Sequence, residues 1–587
     1  MREEPVKTRS AWPASALAVA LAALFLVWPL LLFGAPPSHS AIYNATWASQ
    51  FIELLNSGVV YPRWLPGSFG GFGSSAFFFY APVPFYWAWL HTPLAEGAAG
   101  TFRVLGAAMA TMLLASGLSM RAWLGRHAGP RAATAGAIIY MAMPYHLLDL
   151  YLRGSVGEVA AYAVLPLVAM AVSDLARAGA RAVVPLAFAA ALLMCSHLPT
   201  ALAAAVFLFP AQFLFEASRR DPGLAALARA AALAAGAGIL ALGLAAAYLL
   251  PALTLQGQAA FDVMQEAFYD PRNSLLYAPG RWRNEVMLVF VGSLCAAVGF
   301  AAIVVWRKAP AGPGGSAIRF WAGMAGFVTL AAGGLIPGLW EPWSPLFRIQ
   351  FPWRLLLLAE FAIVTAVVLS GAAPWRQRSS VLAAVLCLLL GAAAVVVLGA
   401  GAWARLHHIE TAEWHALRAA AIEERPDALE YLPAGHHFRY GSDGGYALRD
   451  FRAMSAALAA RGPAWSDPPG AAEVTVIPGQ AGELDLAVSA AGEAWIVLRR
   501  FHFPTWRLET ADGAAGPALG AYGPHRLLAF RVAAGEHRLR LRWAPPPAVR
   551  LGEWLSLLSI ALALVLMAVQ RRAGRGAGTP CPRSGIA

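Results

Sequence analysis

The chain has 587 residues, of which 59% are hydrophobic and only 13% charged, and it carries a formal net charge of +12. Soluble globular proteins carry about 25% charged residues, so a fold solvated wholly by water is excluded. The basic residues sit in short segments between apolar runs. That is the positive-inside pattern of a membrane protein, and it argues against a nucleic-acid partner.

MREEPVKTR precedes an apolar run from Ala14 to Phe33. The run exceeds the roughly 7–15-residue core of a signal peptide, so it reads as a first membrane helix with a cytoplasmic amino terminus. Further spans are centred near residues 112, 139, 164, 189, 208, 238, 297, 328, 362, 390 and 560. Each run is long enough to cross a hydrocarbon core of about 30 Å. The basic linkers Arg121–Arg131, Arg177–Arg181, Arg219–Arg229, Arg307–Arg319 and Arg376–Arg378, with the RRAGR tail, fall on one side. Both termini are therefore expected in the cytoplasm, which demands an even number of crossings. Phe77–Leu90 counted as a span would make the number odd. It also carries Pro82 and Pro84, with Pro93 just beyond, and proline breaks helices. It reads instead as a re-entrant or interface-lying segment, leaving about twelve transmembrane helices.

The first outer loop, 34–93, is too polar for a membrane helix and too apolar for an idle connection. Tyr43–Ser57 places Trp47, Phe51, Leu54 and Leu55 on one helical face, and Gly58 supplies its stop. Gly67–Gly73 permits sharp turns and close backbone approach. Later outer loops and span ends bring further polar groups to the same face: His146, Asp149, Arg153 and Glu158, then His197. Asp262, Glu266, Asp270, Arg272 and Arg281 follow, then Glu341, Arg348, Gln350 and Arg354. Ionisable groups at membrane depth are costly unless paired or wet, so these groups imply one outward-facing polar cavity.

The polytopic domain, 1–402, gives way to a mostly β, extracytoplasmic segment at 403–550. EVTVIPG, ELDLAVSA, AWIVLRRF, WRLETADG and HRLRLRWA alternate with period two between glycine-rich turns, suggesting a sandwich of about five to eight strands. Glu413–Glu424 reads as a short helix feeding it. A final membrane helix at 551–570 and a basic cytoplasmic tail at 571–587 follow. The fold class is thus mainly α and polytopic, with a sandwich-like domain before the last helix. No internal repeat is visible, which gives a transporter no support. Cys195, Cys295, Cys387 and Cys581 lack metal or disulfide spacing. The pairs His407–His408 and His436–His437 have no carboxylate or cysteine at ligand spacing and read as solvated surface, so metal dependence stays open.

GVVYPRW, FFFYAPVPFYW, LYLRGSVGE, SHLPT, IQFPWR, EYLP and FHFPTW occur in that order. Together they resemble the bacterial membrane proteins labelled "6-pyruvoyl-tetrahydropterin synthase-related". That family's architecture is similar to the GT-C class of membrane glycosyltransferases. The resemblance implies a bacterial inner-membrane enzyme that takes sugar from a polyprenyl-phosphate donor and passes it to a glycan or protein acceptor. The family's first loop carries Gly-His-Asp and a second His four residues on. Here His39 is retained, while Ser40 and Asn44 stand at the Asp and second His positions. The acid is then expected from Glu158, or second from Asp149, with His39 as the loop's contribution. Arg153, Arg354 and Arg272 are expected to hold lipid phosphate, with Gln350, His197 and Arg63 as further substrate contacts. The alternative is a non-catalytic relative serving as scaffold or lipid-glycan carrier.

Overall fold

The computed structural model describes residues 12–36, 38, 40–94, 100–265, 269–276, 285–371, 425–439 and 448–576. His39, Glu266, Arg281, His407–His408, the 413–424 helix and the span centred on 390 lie outside the described residues. The chain is a multi-pass membrane protein, mainly helical. Among the described residues, eight helices are long and apolar enough to cross a membrane. One of these, Val156–Ser196, is two helices, Val156–Ala178 and Val183–Ser196, joined by a single 3-10 turn. Helices occupy eleven of the twelve expected positions, the twelfth being the one near 390.

The expected span near 139 is not one continuous helix. Pro130–Met141 has 12 residues, about 18 Å at 1.5 Å per residue. Pro144 starts a new short helix, Pro144–Leu148, and a π turn follows at Asp149–Arg153. Gly154, at φ +62, then reverses the chain into Val156–Ala178. Irregular backbone at membrane depth is tolerated where protein surrounds it, and Tyr145 through Leu150 are all buried.

In the first loop the amphipathic helix spans Ala41–Asn56, and Gly58 at φ +96 follows its end, as expected. Phe77–Leu90 holds only the short helices Ala76–Phe79 and Val83–Trp89, broken at the prolines. The glycine turn is tight. A Cβ on Gly73 would lie 2.2 Å from the Trp64 ring.

Two antiparallel four-stranded sheets form the sandwich. One has the order β1 (Ala464–Asp467), β4 (Ala494–Phe501), β7 (Leu527–Val532), β6 (Gly520–Tyr522). The other has β2 (Ala472–Pro478), β3 (Leu484–Ala490), β8 (Gly535–Trp543), β5 (Trp506–Thr510). On β3, Leu486, Val488 and Ala490 are buried while Ala487 and Ser489 face out.

The first loop belongs to two cores. Trp47, Phe51, Phe77 and Phe85 pack inside the helix bundle. Trp64, Phe69, Phe72 and Phe78 instead share a core with Ile496, Phe501, Phe503 and Trp506 of the sandwich. Phe501 N donates to Phe72 O at 2.8 Å, and the two rings stack with centroids 5.1 Å apart. The loop therefore joins bundle to sandwich.

Candidate functional site

The broken helix sets up the charged cluster. Asp149 and Arg153 stand four residues apart on the π turn, and Glu158 lies in the first turn of Val156–Ala178, where the helix dipole favours a negative charge. Arg153 Nη1 donates to Asp149 Oδ1 at 2.6 Å and pairs with Glu158 Oε1 at 2.7 Å. Arg354 Nε lies 3.2 Å from the same Glu158 oxygen. Tyr145 donates its hydroxyl to Glu158 Oε2 and accepts from Arg153 Nη1, each at 2.6 Å. Two carboxylates and two guanidiniums thus share one buried knot. Charges taken out of water are tolerable only when paired and hydrogen-bonded in this way.

Arg354 is positioned from behind. Its Nη1 donates to Ile349 O at 2.9 Å and Gln350 Oε1 at 3.3 Å. Gln350 adopts φ +68, a region non-glycine residues seldom visit, and it donates to Met264 Sδ at 3.1 Å. His197 is 8% exposed and bonds Thr200 Oγ1 through Nδ1 at 2.8 Å. Its ring packs on Gly157, where an added Cβ would lie 3.0 Å from His197 Cδ2.

Asp149 and Glu158 are fully buried, whereas the side chains of Arg153 and Arg354 are 15% and 17% exposed. Among the described residues, Nη2 of neither arginine has a hydrogen-bond partner. One guanidinium nitrogen of each arginine is therefore left to donate to a further partner, and guanidinium N–H groups suit phosphate or carboxylate oxygens.

An aromatic wall stands beside them. The Tyr80 hydroxyl lies in the electrostatic field of Arg354, Glu158, Arg153 and Glu430. The Tyr80 ring is 4.6 Å from Trp47, and Trp47 is 5.8 Å from Tyr431. Glu430 is 9% exposed. Asp427 is fully buried under the first loop, accepting from Trp47 Nε1 at 2.7 Å and Ala428 N at 2.7 Å. Burial pushes its carboxyl up to about 7, against hydrogen bonds from Ser74, Trp47, the Ala428 amide and Ser68 that favour the ionised form.

Glu158, Asp149, Arg153, His197, Gln350 and Arg354 therefore come together. Two expected contacts do not join them. Arg63 is committed to Glu553 of the final helix at 3.2 Å and lies over the Tyr61 ring at 3.9 Å. Arg272 is bound by Asp270 at 2.7 Å and Glu341 at 3.6 Å. Ser40 and Asn44 take structural roles: Ser40 N donates to Arg153 O at 3.0 Å, and Asn44 Nδ2 to Gly154 O at 2.6 Å. The first loop is tied to the arginine turn by the very positions where the resemblance expects Asp and His.

No family model matches the chain. No curated protein matches it either. The resemblance drawn from the sequence motifs thus finds no family model behind it. Among solved structures, the chain is similar to the single-particle cryo-EM structure of the arabinofuranosyltransferase AftD from Mycobacteria. The identity is 16% and the TM-score 0.39, over 67% of this chain and 27% of that one. This chain spans little more than a quarter of that protein's length.

Sequence reasoning passed over Glu360. It sits in the apolar helix Leu356–Gly371, 1% exposed. It accepts from Tyr145 N at 2.7 Å, His146 N at 3.3 Å and Tyr162 OH at 2.7 Å. It thereby satisfies the free amides at the start of Pro144–Leu148 and fixes the helix that presents Tyr145. A lone carboxylate inside LLLLAEFAIV was the available signal. The reading of His436 as solvated surface is also corrected, because that ring is 1% exposed.

Proposed function

We propose that the protein is an integral membrane glycosyltransferase acting on the extracytoplasmic face of the bacterial cell membrane. It takes a sugar from a polyprenyl-phosphate donor for envelope glycan or protein modification. The observation that carries this reading is the convergence of Arg153 and Arg354 on Glu158, each with Nη2 unpartnered among the described residues. One Nη2 from each arginine donates to the donor phosphate, while Tyr80, half-buried against Trp47, offers an aromatic face to the sugar.

Glu158 is then an anchor for the arginines. Its oxygens are taken up by Arg153, Arg354 and Tyr145, which leaves none to receive an acceptor's proton. The acid facing the Tyr80 side is Glu430, and we assign it the role of taking the acceptor's proton. Arg63 and Arg272 act outside this site, as ties between elements.

Purified protein in detergent or liposomes, given synthetic polyprenyl-phosphate sugars, tests the reading. Wild type should transfer or release sugar. Arg354→Ala should raise KM at least tenfold, and Glu430→Gln should lower kcat while donor binding persists. Donor binding unchanged in Arg153→Ala/Arg354→Ala would sink the phosphate assignment.

A second reading has its own observation: Ser40 stands where the resemblance expects the acid, and a serine hydroxyl is no base at neutral pH, while Asn44 Nδ2 is held by Gly154 O at 2.6 Å. A scaffold or lipid-glycan carrier would bind the donor through the same arginines and transfer nothing.

A further inference from the structure

Beyond Tyr431 the chain passes from the bundle to the sandwich. Pro433 bridges Ala259, and Ala434 N donates to Gln258 O at 3.1 Å. Gly435, at φ +79, then lets His436 turn inward. The His436 ring stacks with His437, centroids 4.8 Å apart, and with Phe438 at 4.7 Å. The turn between β6 and β7 supplies His525, whose ring lies 5.1 Å from His437 and 6.2 Å from His436. One ring nitrogen of each histidine lies within 4.8 Å of those of the other two.

A second observation points to a ligand. His436 Nε2 and His525 Nδ1 are both buried and have no hydrogen-bond partner. Buried polar atoms in native proteins are nearly always satisfied, and two orphaned nitrogens in one cluster call for a common partner.

We propose that His436, His437 and His525 form a binding site for a borderline divalent transition-metal ion, with Zn²⁺ as the reference ion. Three imidazoles suit zinc, copper or nickel, whereas magnesium and calcium need oxygen ligands. Zinc–nitrogen bonds of about 2.0–2.1 Å put tetrahedral ligand atoms about 3.3 Å apart. The rings must therefore close by up to about 1.5 Å, and the exposed His437 is free to swing. Phe438 N donates to His436 Nδ1 at 3.2 Å. Ligation through Nε2 moves the ring proton to Nδ1, so that one long hydrogen bond opens.

The surrounding charge is compatible. Arg439 is paired with Asp262 at 2.9 Å. The three histidines leave a fourth position for water or an outside ligand. A bound ion would clamp the segment carrying Glu430 and Tyr431 to the sandwich. This assignment stands independently of the glycosyltransferase reading.

The test uses the full chain, purified without a histidine tag, stripped with chelator and equilibrated with about 10 µM free Zn²⁺, a concentration that fills sites of sub-micromolar Kd. Elemental analysis should find one zinc per chain, and the melting temperature should rise by several degrees. His437→Ala/His525→Ala, which leaves the buried ring in place, should lose both effects while melting like wild type without metal. With Cu²⁺, the electron spin resonance spectrum should show nitrogen ligation that weakens in the same variant. Equal zinc content in wild type and variant, or no zinc retained by folded wild type, would overturn the site.

Discussion

Two polar clusters are built into the end of the molecule where bundle meets sandwich, and they are built in opposite ways. Around Glu158 every buried charge has an opposite charge or a strong donor within 3.2 Å. Around His436 the cation Arg439 is already paired with Asp262, and two ring nitrogens have no partner. The first cluster balances its charges internally, with Asp149 Oδ2 left without a hydrogen-bond partner, and turns only its outer nitrogens to a ligand. The second is completed by one. Stability should therefore depend on internal partners in the first case and on an added ion in the second.

The largest effect is expected from Glu158→Ala, which strands two guanidiniums without their shared counter-charge. Breaking a buried pair from one side costs about 3–5 kcal/mol. Thermal unfolding followed by fluorescence-detected gel filtration should show a large loss of monodisperse protein. A melting temperature within a degree of wild type would mean that the cluster is wetter than its burial indicates.

Glu360→Leu should come next. It leaves two backbone amides and the Tyr162 hydroxyl without an acceptor, at about 1–3 kcal/mol for each buried group lost. Glu360→Gln, which keeps one acceptor oxygen, should recover part of the stability. If activity falls in Glu360→Leu with KM raised and kcat little changed, Tyr145 acts by holding the arginines. Equal stability of both variants would show that capping of Pro144–Leu148 is unimportant.

Asp427 is the intermediate case, an acid surrounded by neutral donors. Its carboxyl is raised to about 7 in the folded chain, against about 3.9 when unfolded. Between those values the folded state binds the extra proton, so stability falls as pH rises from about 4 to about 7. The slope is at most about 1.4 kcal/mol per pH unit and flattens above 7. Melting curves should show that slope in wild type and a shallower one in Asp427→Asn. Identical slopes would remove Asp427 as the source.

The smallest effect belongs to His525→Ala without metal, expected within about 0.5 kcal/mol of wild type. The same variant in zinc should fail to gain the wild type's added melting temperature. A large loss in metal-free buffer would place His525 among the self-sufficient contacts and erase the contrast between the clusters.

The fold was largely legible in sequence because its signals are local. Apolar length marked the helices, and period-two alternation marked β2, β3, β4, β5 and β8. β7 escaped because LLAFRV is buried on both faces for its first four residues, which erases alternation. β1 and β6 have only 4 and 3 residues. The arginine cluster was legible because Asp149, Arg153 and Glu158 sit within ten residues and Arg354 follows a proline turn. Long-range pairings were not. Arg63 finds Glu553 at a separation of 490 residues, and His436 meets His525 across most of the sandwich. No spacing rule reaches that far.

The loop shared between two cores has a consequence for assembly. Phe72 cannot reach its place beside Phe501 until the sandwich strands have been made. At about 5–20 residues per second, the intervening chain takes about 20–90 s to emerge. Throughout that interval Trp64, Phe69, Phe72 and Phe78 have no sandwich to pack against. The nascent loop is thus a waiting hydrophobic surface, the kind on which a chaperone or insertase would act.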